Sequence, residues 1–317
     1  MEKIDQNAQT GQRVRYSDAE LAEFKEIIEE KLAKAKSEYN TLRQVVMHNG
    51  TNDIEDTTPS FRTVEDDGAF QLSKEEASQM AQRQYKFIQN LEAALIRIEN
   101  KSYGVCRVTG QLIPKERLRL VPHATLTVEA KEMLAKQGKK LLLLGIVLVV
   151  IDQVIKCLVK TNMELGEQIN VIGQWFRLCF VENKGMAFGM FFGGEVGKFL
   201  LSLFRIVLSG FLIWWIRSLI KKGTPAGVLV GLTMITAGAV GNIIDSLFYG
   251  LIWGYAPFMF GKVVDMFFFP IIRDGEHVIF FSPVFNFADS CVTVGAFYLL
   301  LFHWRFFLKE ENTEKKN

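Results

Sequence analysis

At 317 residues the chain is long enough for about two domains, and residues 1–140 hold 22 Lys/Arg and 22 Asp/Glu, leaving 15 and 13 for the remaining 177. A net charge of only +2 supplies no field for a polyanion, so no nucleic-acid partner is expected. Cys106, Cys157, Cys179 and Cys291 lack CxxC spacing and the four histidines form no HExxH pattern, which leaves a metal cage, a disulfide framework and metal-assisted hydrolysis without residues; no cofactor is expected.

The opening residues are polar and lack the apolar core of a signal peptide, so the N-terminal part is expected to stay in the cytoplasm. Ser17-Asp-Ala-Glu20 reads as a capping box, and Leu21, Phe24, Ile28, Leu32, Ala35, Tyr39, Leu42 and Val46 follow at helical spacing. A polar stretch from His48 to Gln71 interrupts the pattern. A second box, Ser73-Lys-Glu-Glu76, then opens a helix through Ala77, Ala81, Ile88, Leu91, Leu95 and Ile98. The two helices are expected to pair as an antiparallel hairpin, with the acidic run Glu65-Asp66-Asp67 in a solvated turn at its tip or in contact with a partner.

Tyr103-Gly-Val-Cys106, Gly110-Gln-Leu-Ile-Pro114, Glu116-Arg-Leu118 and Pro122-His-Ala-Thr-Leu126 follow. Over about the first 135 residues the chain resembles the DksA/TraR family, a helical hairpin followed by a four-cysteine zinc finger. Only Cys106 keeps a ligand position, because Thr109, Thr127 and Ala130 stand where the other three cysteines would fall. One thiol cannot build a structural zinc site, and packing among Leu118, Leu120 and Leu126 is the expected substitute. The resemblance implies a contact with RNA polymerase through the hairpin tip. This chain lacks the family's usual tip pattern, so the fold is carried over and the activity is not.

Lys131, Lys136, Lys139 and Lys140 precede Leu141 to Val159, a stretch whose nineteen helical residues reach roughly 28 Å, enough for a bilayer core. Further spans are predicted at Phe199 to Ile220, Pro225 to Ile244 and Val284 to Trp304. Arg217, Lys221 and Lys222 lie between the second and third, and Arg305, Lys309, Lys315 and Lys316 follow the fourth. Together with the first cluster they place both termini and the middle loop in the cytoplasm.

That orientation brings the polar residues to one depth. Asp152 and Lys156 lie toward the outer end of the first span, Asn242 and Asp245 at that of the third, and Asn286 and Asp289 in the first turns of the fourth. Asp265 and the segment Val181-Glu-Asn-Lys-Gly-Met-Ala-Phe188 fall in the two outer connections. Blander readings stand beside this convergence: Asp152 and Lys156 at i,i+4 could neutralise one another, and Asn242 and Asp245 could cap a helix end. Arg205 inside the second span is costly unless paired or snorkelling, and suits either a lipid phosphate or an acidic side chain. Neither Asp265 nor Asp289 has an obvious basic neighbour in sequence.

The ordered series Asp152-Gln-x-x-Lys156, Glu182-Asn-x-Gly-x-Ala-Phe188, Gly241-Asn-x-x-Asp245, Val263-Val-Asp265 and Phe285-Asn-x-Ala-Asp289-Ser resembles lipoprotein signal peptidase, or signal peptidase II, over about residues 138–308. The resemblance implies a bacterial inner-membrane aspartyl protease that removes signal peptides from diacylglyceryl-modified prolipoproteins. Its catalytic pair falls on Asp265 and Asp289, supported by Asp152, Lys156, Asn183, Asn242, Asp245 and Asn286. This chain departs at Ala237, where the family often has the first Gly of GGxxGN, and at Ser246, where Arg is common. The expected fold is mainly α: a cytoplasmic hairpin domain with a degenerate zinc-finger-like module over 1–135, then over 136–317 a four-helix transmembrane bundle with a small extracytoplasmic β element. Its expected partners are the prolipoprotein and membrane lipids. Two rivals keep the same spans for other purposes. One is a small carboxylate-based transporter, which would need polar groups through the membrane thickness; the other is a membrane-tethered regulator, which needs none at its helix ends.

Overall fold

A computed structural model describes residues 15–48, 64–183, 194–270, 272–274, 277–280 and 283–308. The chain divides into two compact units, Met1–Glu132 and Met133–Asn317.

In the first unit, α1 (Asp18–His48) and α2 (Val64–Glu99) run against each other through Phe24, Ile28, Ala35, Ile88, Leu91, Ala94 and Ile98. Ser17 caps α1 as its box predicts, its backbone N–H donating to Glu20 at 2.8 Å. The second helix begins at Val64, nine residues before the box at Ser73, so residues 65–67 lie in helix and not in a turn. The box spacing misled because Glu and Asp are as compatible with a first helical turn as with a loop. Past α2, Tyr103, Cys106 and Ile113 close the hairpin's end together with Leu118 of the short α3 (Lys115–Leu120). Leu120 takes no part in that packing: it is 78% exposed, and Tyr103 and Ile113 fill the core in its place.

Among the described residues, four helices are long and apolar enough to cross a membrane: α4 (Val128–Asn162), most of which lies in the second unit, α5 (Gly194–Lys222), α6 (Ala226–Ile244) with its continuation, and α8 (Phe287–Tyr298) with its continuation. The central helix is α6, with 56% of its apolar window buried against 17% for each of the others. Leu142, Leu143, Ile146, Val150, Val154 and Leu158 on α4 are exposed, as suits a helix whose outer face meets acyl chains.

The third span runs farther than its apolar pattern suggests. After α6 the helix makes a π-helical turn over Asp245–Tyr249 and ends in α7 (Gly250–Ile252), so Asp245 is held inside a helix and not at its tip. A π turn is a costly insertion that tends to mark functional sites. The fourth span starts three residues later than expected, because Asn286 caps α8. Close approach of α6 and α8 requires glycine at 238, where a Cβ would lie 2.2 Å from the Ala288 carbonyl oxygen.

Between the spans, β1 (Gln168–Ile172), β2 (Phe176–Asn183) and β3 (Val263–Phe268) form an antiparallel sheet in that order. A separate hairpin joins β4 (Ile272–Asp274) to β5 (His277–Phe280). Register pairs Asn183 with Val263, Glu182 with Val264 and Val181 with Asp265. Strand alternation then sends Val264 and Met266 into a core with Val159, Phe180 and Tyr249, leaving Asp265 to the opposite face.

Candidate active site

Five elements, α4, β2, α6 with its π turn, β3 and α8, deliver the eight residues singled out in the sequence to one hydrogen-bonded network. The Phe285-Asn-x-Ala-Asp289 motif is itself a capping box. Asn286 Oδ1 accepts from the Asp289 backbone N–H at 2.9 Å, while the Asp289 carboxylate accepts from the Asn286 N–H at 3.3 Å. This fixes Asp289 in the first turn of α8, where the exposed N–H groups and the helix dipole favour negative charge. The spacing Asn-x-x-Asp is a cap signal legible in the sequence.

Asn286 also links the two carboxylates. Its Nδ2 donates to Asp265 at 2.7 Å and to Asn242 Oδ1 at 3.0 Å, and Asn242 Nδ2 donates in turn to Asp289 at 2.8 Å. Asn183, from the end of β2, donates to the other Asp265 oxygen at 3.1 Å. Asp265 is 3% exposed and Asp289 is half-buried. Burial first, and the charge of Asp289 second, push the Asp265 carboxyl up to about 7 despite the donors from Asn183 and Asn286.

A second layer lies behind this pair. Lys156 is wholly buried and its ammonium meets Asp152 and Asp245, each at 2.8 Å, and Asn242 Oδ1 at 2.9 Å. The i,i+4 pairing of Asp152 with Lys156 is therefore real and also part of the site. Asp152 accepts from the Ala288 backbone N–H at 2.9 Å, tying α4 to the start of α8. Gly241 allows that approach, since a Cβ there would come within 2.6 Å of the same carboxylate. Asp245 accepts from the Val264 N–H at 3.3 Å, which ties the π turn to the strand bearing Asp265.

Gln153, inside the first motif, is a site residue that the sequence pattern does not single out. Its amide donates to Asp245 at 2.9 Å, to the Gly241 carbonyl and Asp152 at 3.1 Å each, and it accepts from the Tyr249 hydroxyl at 3.2 Å. A glutamine inside an apolar span is the signal that could have found it. A second group missed is Glu182, which accepts from Lys262 at 2.8 Å and from Lys160. Burial alone would raise its carboxyl, but the two ammonium groups more than offset this and hold it below the usual range. Lys160 also lies 5.1 to 5.7 Å from the rings of Tyr255, Trp253 and Phe180. The residues 184–188 that complete the second motif lie outside the described residues.

The family model described as signal peptidase (SPase) II matches residues 144–305. The lipoprotein signal peptidase of Porphyromonas gingivalis is 45% identical over 191 residues, covering 52% of this chain and 83% of that one. The chain belongs to the signal peptidase II family. Another relative bearing that name, from Amoebophilus asiaticus, is 37% identical over 176 residues, covering 50% of this chain and 75% of its own. Among solved structures, a bacterial membrane enzyme aligns with 93% of its chain and 56% of this one at 25% identity, with a TM-score of 0.41. Membership in the signal peptidase II family makes this chain a membrane protease that processes lipoproteins.

The family model for the prokaryotic dksA/traR C4-type zinc finger matches residues 101–132. The residues there do not fit the metal. The Cys106 thiol is buried, which alone would raise it. Hydrogen bonds from the Thr109 hydroxyl and from the backbone N–H groups of Thr109, Thr127 and Val108 instead bring it down to about 7. Thr127 spends its hydroxyl on the Ala130 N–H at 3.2 Å, as a helix cap. One thiol, two threonines and an alanine do not make a zinc cage.

Proposed function

We propose that the chain is an aspartyl endopeptidase in which Asp265 and Asp289 share one proton. The observation that supports this best is the coupling of the pair: Asp265 is buried, is bridged to Asp289 through Asn286 and Asn242, and is raised to about 7 in part by the charge of Asp289. Asp265 keeps the shared proton, and the negative charge rests on Asp289 at the helix N-terminus. Asp289 then takes a proton from water as the water oxygen bonds to the scissile carbonyl carbon, and Asp265 donates its proton to the carbonyl oxygen. Collapse of that intermediate breaks the C–N bond: the leaving amine takes the proton from Asp289, and one hydroxyl of the intermediate returns a proton to Asp265 as the new carboxyl group forms.

Asp152, Lys156, Asn183, Asn242, Asp245 and Asn286 hold the pair and do no proton transfer of their own. The substrate is a diacylglyceryl prolipoprotein, whose signal segment lies among acyl chains while its lipidated cysteine stands at the interface; binding energy from the lipid positions the bond. The protein lies in the bacterial inner membrane with both termini in the cytoplasm and the site at the outer leaflet, a reading that rests on the basic residues flanking the spans. Residues 1–135 form a separate cytoplasmic domain of DksA/TraR-like fold. Asp265→Asn and Asp289→Asn should each lower cleavage of a synthetic diacylglyceryl peptide by about 10²-fold or more while inserting normally. Wild-type cleavage by either variant sinks the reading.

A further inference from the structure

One face of α5 is polar. Lys198, Ser202, Arg205 and Ser209 recur at spacings of four, three and four and so share a side of the helix, while Leu203, Phe204, Val207 and Phe211 are exposed. The polar side is turned toward the site. Lys198 Nζ donates to the Phe260 carbonyl at 2.6 Å, Ser202 Oγ to that of Met259 at 3.3 Å, and Arg205 Nη1 to Ser246 Oγ at 3.4 Å. From Ser246 the path continues to the pair. Its hydroxyl donates to the Asn242 carbonyl at 2.9 Å, and Asn242 Nδ2 reaches Asp289 at 2.8 Å.

The guanidinium is in electrostatic reach of Asp289, Asp245 and Asp265, most strongly of Asp289. Charges facing this region come from every element around it: Asp152 and Lys156 from α4, Asp245 from the π turn, Asp265 from β3, Asp289 from α8, and Lys198 and Arg205 from α5. Glu182 of β2 is engaged by Lys160 and Lys262. Lys156 is already held by Asp152, Asp245 and Asn242. Four carboxylates thus face three cations, and of these Arg205 is the one linked through Ser246 and Asn242 to Asp289.

We propose that Arg205 is a positioning residue for proteolysis, its guanidinium stabilising the ionised state of the Asp265–Asp289 pair through Ser246 and Asn242. This rests on the two-aspartate reading above. Removing the positive charge makes each loss of a proton from the pair harder, so the pH–activity curve must move to higher pH. A defect of packing alone would lower the curve without moving it.

The test is the pH dependence of kcat/KM for the full-length protein in proteoliposomes, cleaving a diacylglyceryl peptide, for wild type, Arg205→Met, Arg205→Lys and Asp265→Asn. Arg205→Met should shift the curve up by about one pH unit, and Arg205→Lys should restore it to within a few tenths. If the methionine variant fails to insert, Arg205→Gln reads the same shift. An unmoved curve for the neutral variants, or an equal shift for Arg205→Lys, overturns the role of Arg205 while Asp265→Asn stays inactive. Cleavage by Asp265→Asn overturns the two-aspartate reading and this inference with it.

Discussion

Asp265 is buried, only 3% exposed, and its chemistry follows from that. With its carboxyl held up to about 7, it is protonated below that pH and able to donate to a carbonyl oxygen; as pH rises through about 7 the proton is lost, both carboxylates are charged and no acid remains. A basic limb near pH 7 in the kcat/KM profile is the expected outcome, and activity that stays flat from pH 6 to 9 would contradict it. Lys156 has the opposite role. It is wholly buried between Asp152 and Asp245, so Lys156→Met leaves two buried carboxylates without their cation and should destabilise the second unit by on the order of 3–5 kcal/mol. Thermal unfolding in detergent, followed by tryptophan fluorescence, would show it as a large loss in Tm.

At the scale of elements, the site depends on how closely α6 and α8 approach and on the register of β2 with β3. Gly238 faces the Ala288 carbonyl, one residue before Asp289, with no room for a Cβ. Gly238→Ala should therefore push the helices apart at a cost of about 1–3 kcal/mol and lower kcat, which thermal unfolding and a cleavage assay measure together. Glu182 acts on the strands. It sits opposite Val264 and is clamped by Lys160 and Lys262, one from α4 and one just before β3. Glu182→Gln keeps the shape, removes the charge and should lower kcat up to about 10²-fold, with insertion unchanged. Wild-type kcat in this variant would show that the register is held by the ladder alone.

At the scale of the whole molecule, two compact units of different chemistry lie on one chain. All eight residues of the site network come from the second unit, so deletion of residues 1–132 should leave cleavage of the diacylglyceryl peptide within about threefold of the full chain, roughly the scatter expected when no contact to substrate or site is removed. A hundredfold loss would mean that the first unit completes the enzyme. The first unit should also hold no stoichiometric zinc by elemental analysis, since its donor set is a single thiol already supplied with hydrogen bonds.

The amino-acid sequence by itself determined the family, the spans and the identity of the polar residues. An apolar run long enough to cross a bilayer is a local property, and an Asp or Asn within one is conspicuous whatever the fold. It misplaced the start of α2 and the ends of two spans, because helix ends are set by capping and by neighbours as much as by periodicity. Pairings across 82, 92 or 136 positions, as in Asn183 with Asp265, Gln153 with Asp245 and Asp152 with Ala288, leave no local trace. Only the tertiary structure decided these, along with the burial that separates Asp265 from Asp289 and the direction in which Arg205 points. Hydrogen bonds and desolvation depend on which surfaces meet, and a linear pattern can name the groups that need partners without naming the partners.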